Sequence, residues 1–179
     1  MTLKQKIGQL FIHTVAPVTT QKNKENIAQA VKEYAVGGLL FSGGTLDKQV
    51  QLTNWAQQMA KVPLMITFDG EWGLAMRLKE FPAFPRNRVL GCIQSDTLLY
   101  RYGREVARQL REIGVCVNFA PVADVDNNPK NPVINTRSFG ESPFNVANKV
   151  VAYSKGLEDG GVLSVSKHFP GHGDTDVDS

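Results

Sequence analysis

Gly161-Val-Leu-Ser-Val-Ser-Lys-His-Phe-Pro-Gly-His-Gly-Asp-Thr-Asp-Val-Asp-Ser179 carries the clearest signal of fold in this chain. A short apolar run, 162–166, follows the helix-ending pair Gly160-Gly161 and opens directly onto a turn carrying Lys167, His168, His172, Asp174, Asp176 and Asp178. An apolar run with glycine at its entry and a polar loop at its exit reads as a buried strand of a parallel sheet. In parallel α/β folds the exit end of such a strand is where ligands bind.

The same unit recurs upstream. Residues 8–15 (GQLFIHTV), 37–41 (GGLLF), 63–68 (PLMITF) and 115–119 (VCVNF) read as four earlier strands. Between them lie helical patterns at 23–34, 46–60, 97–113 and 143–159, the third with Leu98, Tyr102, Val106, Leu110 and Ile113 on one face. Segments 81–88 and 127–141 read as loops. The order βαβαβαβαβ implies a parallel sheet covered by helices. Its closure is either an open doubly wound sheet or a (β/α)8 barrel. Long polar loops leave strands three, four and five while short glycine turns enter them, and that asymmetry favours a barrel whose ligand face is built from βα loops. A whole barrel of this kind needs roughly 250 residues. The expectation is therefore an α/β chain comprising the first five βα units of a TIM-type (β/α)8 barrel, incomplete, with residues 1–179 ending in the loop after strand five.

Composition sets outer limits. The 179 residues are 42% hydrophobic and 21% charged, ordinary for a globular domain with a real core. A net charge of +3, with no run of five or six basic residues, gives nucleic acid little to bind. No stretch approaches the ~18 apolar residues of a membrane span. Cys92 and Cys116 fit no metal or redox spacing and read as reduced, buried thiols. The first ten residues hold no signal-peptide core, so the expected location is cytoplasmic if Met1 is the true start. It is periplasmic or secreted if a signal peptide preceded it.

Several strand exits carry chemistry, each with a plainer alternative. Asp69 follows PLMITF directly, placed to accept hydrogen bonds from ligand hydroxyls or to serve as a turn aspartate. Asp124, Asp126, Asn127, Asn128 and Asn131 form a loop of turn-stabilising side chains, read mainly as structural. Arg137 can reach an anionic or hydroxylated ligand through its donor fork, or make a surface ion pair. Lys167 and His168 offer polar contacts at the end of strand five. His168, His172 and Asp174 loosely suit a metal site, but the spacing matches no motif closely. Trp72 could stack on a sugar ring or simply pack.

Taken together, Lys6-Ile-Gly-Gln-Leu-Phe11, Gly37-Gly38, Phe68-Asp-Gly-Glu71, Val117-Asn-Phe-Ala-Pro-Val-Ala-Asp124, Asn135-Thr-Arg-Ser-Phe-Gly140 and Lys167-His-Phe-Pro-Gly-His-Gly-Asp174 resemble the N-terminal barrel domain of glycoside hydrolase family 3. The likeness is to its β-N-acetylglucosaminidase branch and runs nearly end to end; the last motif is the most specific. The resemblance implies a retaining glycosidase acting on a small saccharide, terminal β-linked N-acetylglucosamine of peptidoglycan type, without metal or other cofactor. It implies that Asp69, Arg137, Lys167 and His168 bind the sugar. It also implies that Asp178 is the carboxylate half of an Asp-His acid/base dyad, a pairing that fixes the imidazole tautomer and stabilises the imidazolium. The dyad histidine would follow Ser179, and the nucleophilic aspartate would lie on a later strand. The expected state of this chain is then a catalytically inactive fragment, parted from the remainder of its barrel. The resemblance leaves three alternatives open: a non-catalytic sugar-binding module, an inactive remnant and β-glucosidase specificity.

Overall fold

The computed structural model describes residues 1–178. Among these residues six α-helices and five strands follow one another: α1 (Leu3–Gly8), β1 (Ile12–Val15), α2 (Gln21–Lys32), β2 (Gly38–Phe41), α3 (Leu46–Met59), β3 (Met65–Phe68), α4 (Asn87–Leu90), α5 (Asp96–Glu112), β4 (Val117–Asn118), α6 (Pro143–Asp159) and β5 (Leu163–Ser164). Local chemistry starts the helices where the chain supplies a cap. Thr20, Ser95 and Ser142 each accept a hydrogen bond from a backbone N–H of the following turn, and α6 adds a proline in its first turn.

All five strands pair in parallel in the order β1-β2-β3-β4-β5. That order bears out the barrel closure that the loop asymmetry favoured. A doubly wound sheet reverses its strand order midway, which places helices on both faces. With no reversal, right-handed crossovers put every helix on the same face. The helix-facing side carries Leu39, Phe41, Ile66 and Phe68, all buried, with Leu39 and Ile66 paired in register. The opposite, concave side carries Ile12, Met65 and Leu163, which are 38%, 41% and 60% exposed. This is the wall and inner face of the first five βα units of a barrel.

Four expectations need correction. The first strand begins at Ile12, not at residue 8, because Thr2 and Gln5 form a capping box that starts α1. The short α4 occupies the end of the segment read as loop 81–88. In α5 the buried stripe is Leu99, Gly103, Val106, Ala107 and Leu110, whereas Leu98 is half exposed. The helix turns this way because Gly103 meets Gly156 of α6: a Cβ at 103 would lie 2.5 Å from the Tyr153 carbonyl oxygen. Cys92, expected buried, is exposed just beyond α4, and Cys116 is intermediate. No helix among the described residues is long and apolar enough to cross a membrane.

Candidate active site

The exits of β3, β4 and β5 lie side by side because their strands are neighbours in the sheet. Asp69 is the first residue after β3, and Glu71 and Arg77 lie on the same loop. Asp124 follows β4, and Arg137 ends a single 3-10 turn, Asn135–Arg137, farther along that connection. Lys167 and His168 follow β5. Three strand ends thus supply one cluster.

Its centre is a set of ion pairs. Lys167 Nζ donates to Asp69 Oδ1 at 2.6 Å and contacts Glu71 Oε1 at 2.9 Å. Arg77 pairs with the other oxygen of Asp69. Arg137 Nη2 donates to Glu71 Oε1 at 2.8 Å, and its Nε reaches both carboxylate oxygens at 3.2 and 3.1 Å. The carboxylates divide by depth: the Asp69 side chain is 20% exposed, that of Glu71 0%. Burial works to raise the pKa of Asp69, but the charge and hydrogen bond of Lys167, joined by those of Arg77, outweigh it and hold the carboxyl below its usual range. Asp69 is therefore an ionised acceptor facing the rim.

His168 is oriented from the other side. Its Nδ1 lies 2.5 Å from Asp124 Oδ2, and its Nε2 lies 3.3 Å from Arg137 Nη2. Arginine can only donate, so Nε2 is the acceptor and the proton sits on Nδ1. Asp124, nearly fully buried, also accepts the backbone N–H groups of His168 and His172 at 3.2 and 2.7 Å. The loop after β4 further grips the segment that leads to Asp178. Asn131 Nδ2 donates to the His172 carbonyl at 2.6 Å, and Asn128 Nδ2 donates to Asp176 Oδ1 at 2.7 Å. Asp124, Lys167, His168 and Asp174 line an open cavity of about 420 Å³ beside this segment.

Of the residues singled out in the sequence, Asp69, Arg137, Lys167 and His168 converge here. Asp178 is exposed at the far end of the segment from Lys167, and Ser179 lies outside the described residues. The metal reading of His168, His172 and Asp174 finds no support in the geometry: among the described residues no three His, Cys, Asp or Glu side chains gather so as to hold a metal ion. Trp72 has the Arg86 guanidinium 3.6 Å from its ring centroid, so one face is already covered. Glu71, Arg77 and Asp124 were not singled out as ligand-site residues. The nearest signal for the first two was their position just after Asp69 on a strand exit.

What this arrangement can do is hold a neutral, hydroxyl-rich ligand. Three carboxylates (Asp69, Glu71, Asp124) balance three cations (Lys167, Arg77, Arg137), leaving dense donors and acceptors without a large net field. Comparison with known proteins gives that chemistry its context. Residues 2–179 match the glycosyl hydrolase family 3 N-terminal domain. Beta-hexosaminidase A of Pseudoalteromonas piscicida is 37% identical over 166 residues, 86% of this chain and 28% of that protein. Beta-hexosaminidase LpqI of Mycobacterium tuberculosis is 34% identical over 185 residues, 98% of this chain and 45% of that protein. Among solved structures, a glycoside hydrolase family 3 beta-N-acetylglucosaminidase from Paenibacillus sp. str. FPU-7 superposes with a TM-score of 0.89 at 35% identity, covering 100% of this chain and 35% of that one. The chain thus spans less than half the length of these relatives, and across its length it belongs to glycosyl hydrolase family 3, as a match to the N-terminal domain of that family.

Proposed function

We propose that the protein to which this chain belongs hydrolyses terminal, non-reducing β-linked N-acetylglucosamine from peptidoglycan-type saccharides, with retention of configuration. The observation that carries this reading is the convergence of Asp69, Arg137, Lys167 and His168 on one rim, with Asp69 ionised and partly open. Asp69 would accept hydrogen bonds from ring hydroxyls, while Lys167 and Arg137 donate to hydroxyl and acetamido oxygens. In the first half-reaction a carboxylate from a later strand attacks the anomeric carbon, and the leaving oxygen takes a proton from the dyad histidine. Asp178, on the other imidazole nitrogen, would orient that histidine. Water then cleaves the glycosyl–enzyme bond, with the same histidine as base.

On this reading residues 1–179 are the binding half of a divided machine, a partial barrel that holds the sugar and lacks the nucleophile and the dyad histidine. The test is a pair of assays with an aryl β-N-acetylglucosaminide. The isolated chain is expected to give no turnover. The same chain extended through the rest of the barrel should turn over, and an Asp69→Ala change in it should lower kcat/KM by at least about 100-fold, the scale of losing charged contacts to a bound substrate. Hydrolysis by the isolated chain, or an extended chain indifferent to Asp69→Ala, would overturn the reading.

A further inference from the structure

Glu71 lies beneath the rim, out of reach of any ligand there, because its side chain is 0% exposed. Both its oxygens are nevertheless engaged, and by cations from two other strand exits: Arg137, beyond β4, and Lys167, beyond β5. A single carboxylate on the β3 loop therefore ties three exits together.

Its own backbone is held with equal thoroughness. The Gly70 N–H donates to Asn118 Oδ1 at 3.0 Å, and Asn118 Nδ2 donates back to the Gly70 carbonyl at 3.2 Å. The Glu71 carbonyl accepts from the hydroxyls of Tyr153 at 3.2 Å and Tyr102 at 3.3 Å. Burial raises both phenols well above their ordinary range, so they remain donors. Side chains from β4, α5 and α6 thus position Glu71, and Glu71 positions two cations. Arginine and lysine are long and rotamer-rich, and a fixed buried anion removes that freedom before a ligand arrives.

We infer that Glu71 is a positioning residue: a buried anion that locks Arg137 and Lys167 so that their outward N–H groups, together with Asp69, meet a sugar. The division of labour is by depth, with Asp69 for the ligand and Glu71 for the groups that grip it. The inference rests on the saccharide reading for the ligand's identity, but the locking itself is measurable without one.

The experiment uses the 179-residue chain, its Glu71→Gln, Glu71→Asp and Asp69→Asn variants, and two readouts. The first is solvent exchange of the Arg137 Nε–H and Lys167 ammonium protons by 1H–15N NMR. The second is titration with N-acetylglucosamine. Glu71→Gln should speed exchange at both cations and weaken binding by about 10- to 100-fold, as expected for lost charge-assisted hydrogen bonds. Asp69→Asn should abolish binding yet change Arg137 exchange far less than Glu71→Gln does, since the carboxylate that Arg137 bonds is Glu71. Glu71→Asp should restore part of both, because it keeps the charge one methylene short. Wild-type exchange at Arg137 and Lys167 in Glu71→Gln would overturn the inference. If circular dichroism shows that Glu71→Gln does not fold, Glu71→Asp decides alone: faster Arg137 exchange supports the inference, and unchanged exchange overturns it. Should the wild-type chain protect these protons but bind no sugar, the saccharide reading fails while the positioning role stands.

Discussion

Asp69 sets a pH signature at the scale of the single residue. Its folded pKa lies below the ordinary carboxylate range because Lys167 and Arg77 outweigh its burial. A depressed carboxylate stabilises the fold fully above its unfolded pKa, and that contribution disappears as pH falls through the lower folded value. The stability difference between wild type and Asp69→Asn should therefore be largest near neutrality and shrink below pH ~4, read from urea unfolding across that range. His168 gives a second test at this scale. Its 15N shifts should report a proton on Nδ1, and Asp124→Asn should change the tautomer balance. Asp69, Arg137, Lys167 and His168 were legible in the sequence because each sits in a motif at a strand exit. Glu71 and Asp124 were not, because their partners lie 66 and 44 residues away. A buried carboxylate looks like any other acidic letter until the fold closes over it.

At the scale of elements, the crossing of α5 and α6 leaves no room for a side chain. A Cβ on Gly156 would lie 2.3 Å from the Tyr100 carbonyl oxygen and 2.9 Å from the Gly103 Cα. Gly156→Ala should therefore destabilise the domain by about 1–3 kcal/mol despite alanine's better helix propensity, measured by chemical denaturation. The clamp between the β4 and β5 loops is the other element-level feature. Asn128→Ala removes donors to the Asp174 and Thr175 carbonyls and to the Asp176 carboxylate. Amide exchange should quicken in that segment while global stability falls by only about 1–2 kcal/mol. Element types were largely readable from apolar periodicity and Ser or Thr caps. Boundaries were less so: the apolar run from Leu10 to Ile12 extended the first strand backwards over residues that α1 claims through its capping box.

The whole molecule presents one helix-covered face and one concave face. The concave face leaves Ile12, Met65, Leu163 and Val165 at 38–60% exposure, flanked by the β1 and β5 edges of the sheet. Exposed apolar strands with unpaired edges associate. The isolated chain is expected to bind an apolar fluorescent dye and to self-associate at micromolar concentration in sedimentation runs. Leu163→Lys should reduce both without lowering the unfolding midpoint, since that side chain is already 60% exposed. A chain extended through the proposed remainder of the barrel should lose the dye signal, because the same face becomes interior.

The alternation of strands and helices, the parallel sense of the sheet and the strand exits where polar residues gather are all written in the local pattern of residues. Those follow from period, glycine punctuation and capping, which act over a few residues. The choice of a barrel wall over an open sheet was already favoured by loop asymmetry along the chain, and the unreversed strand order bears it out. The fold alone decided which carboxylate stays partly open at the rim and which is buried beneath it. Depth and charge pairing are properties of three strand ends at once, and the chain encodes them only through the contacts that bring those ends together.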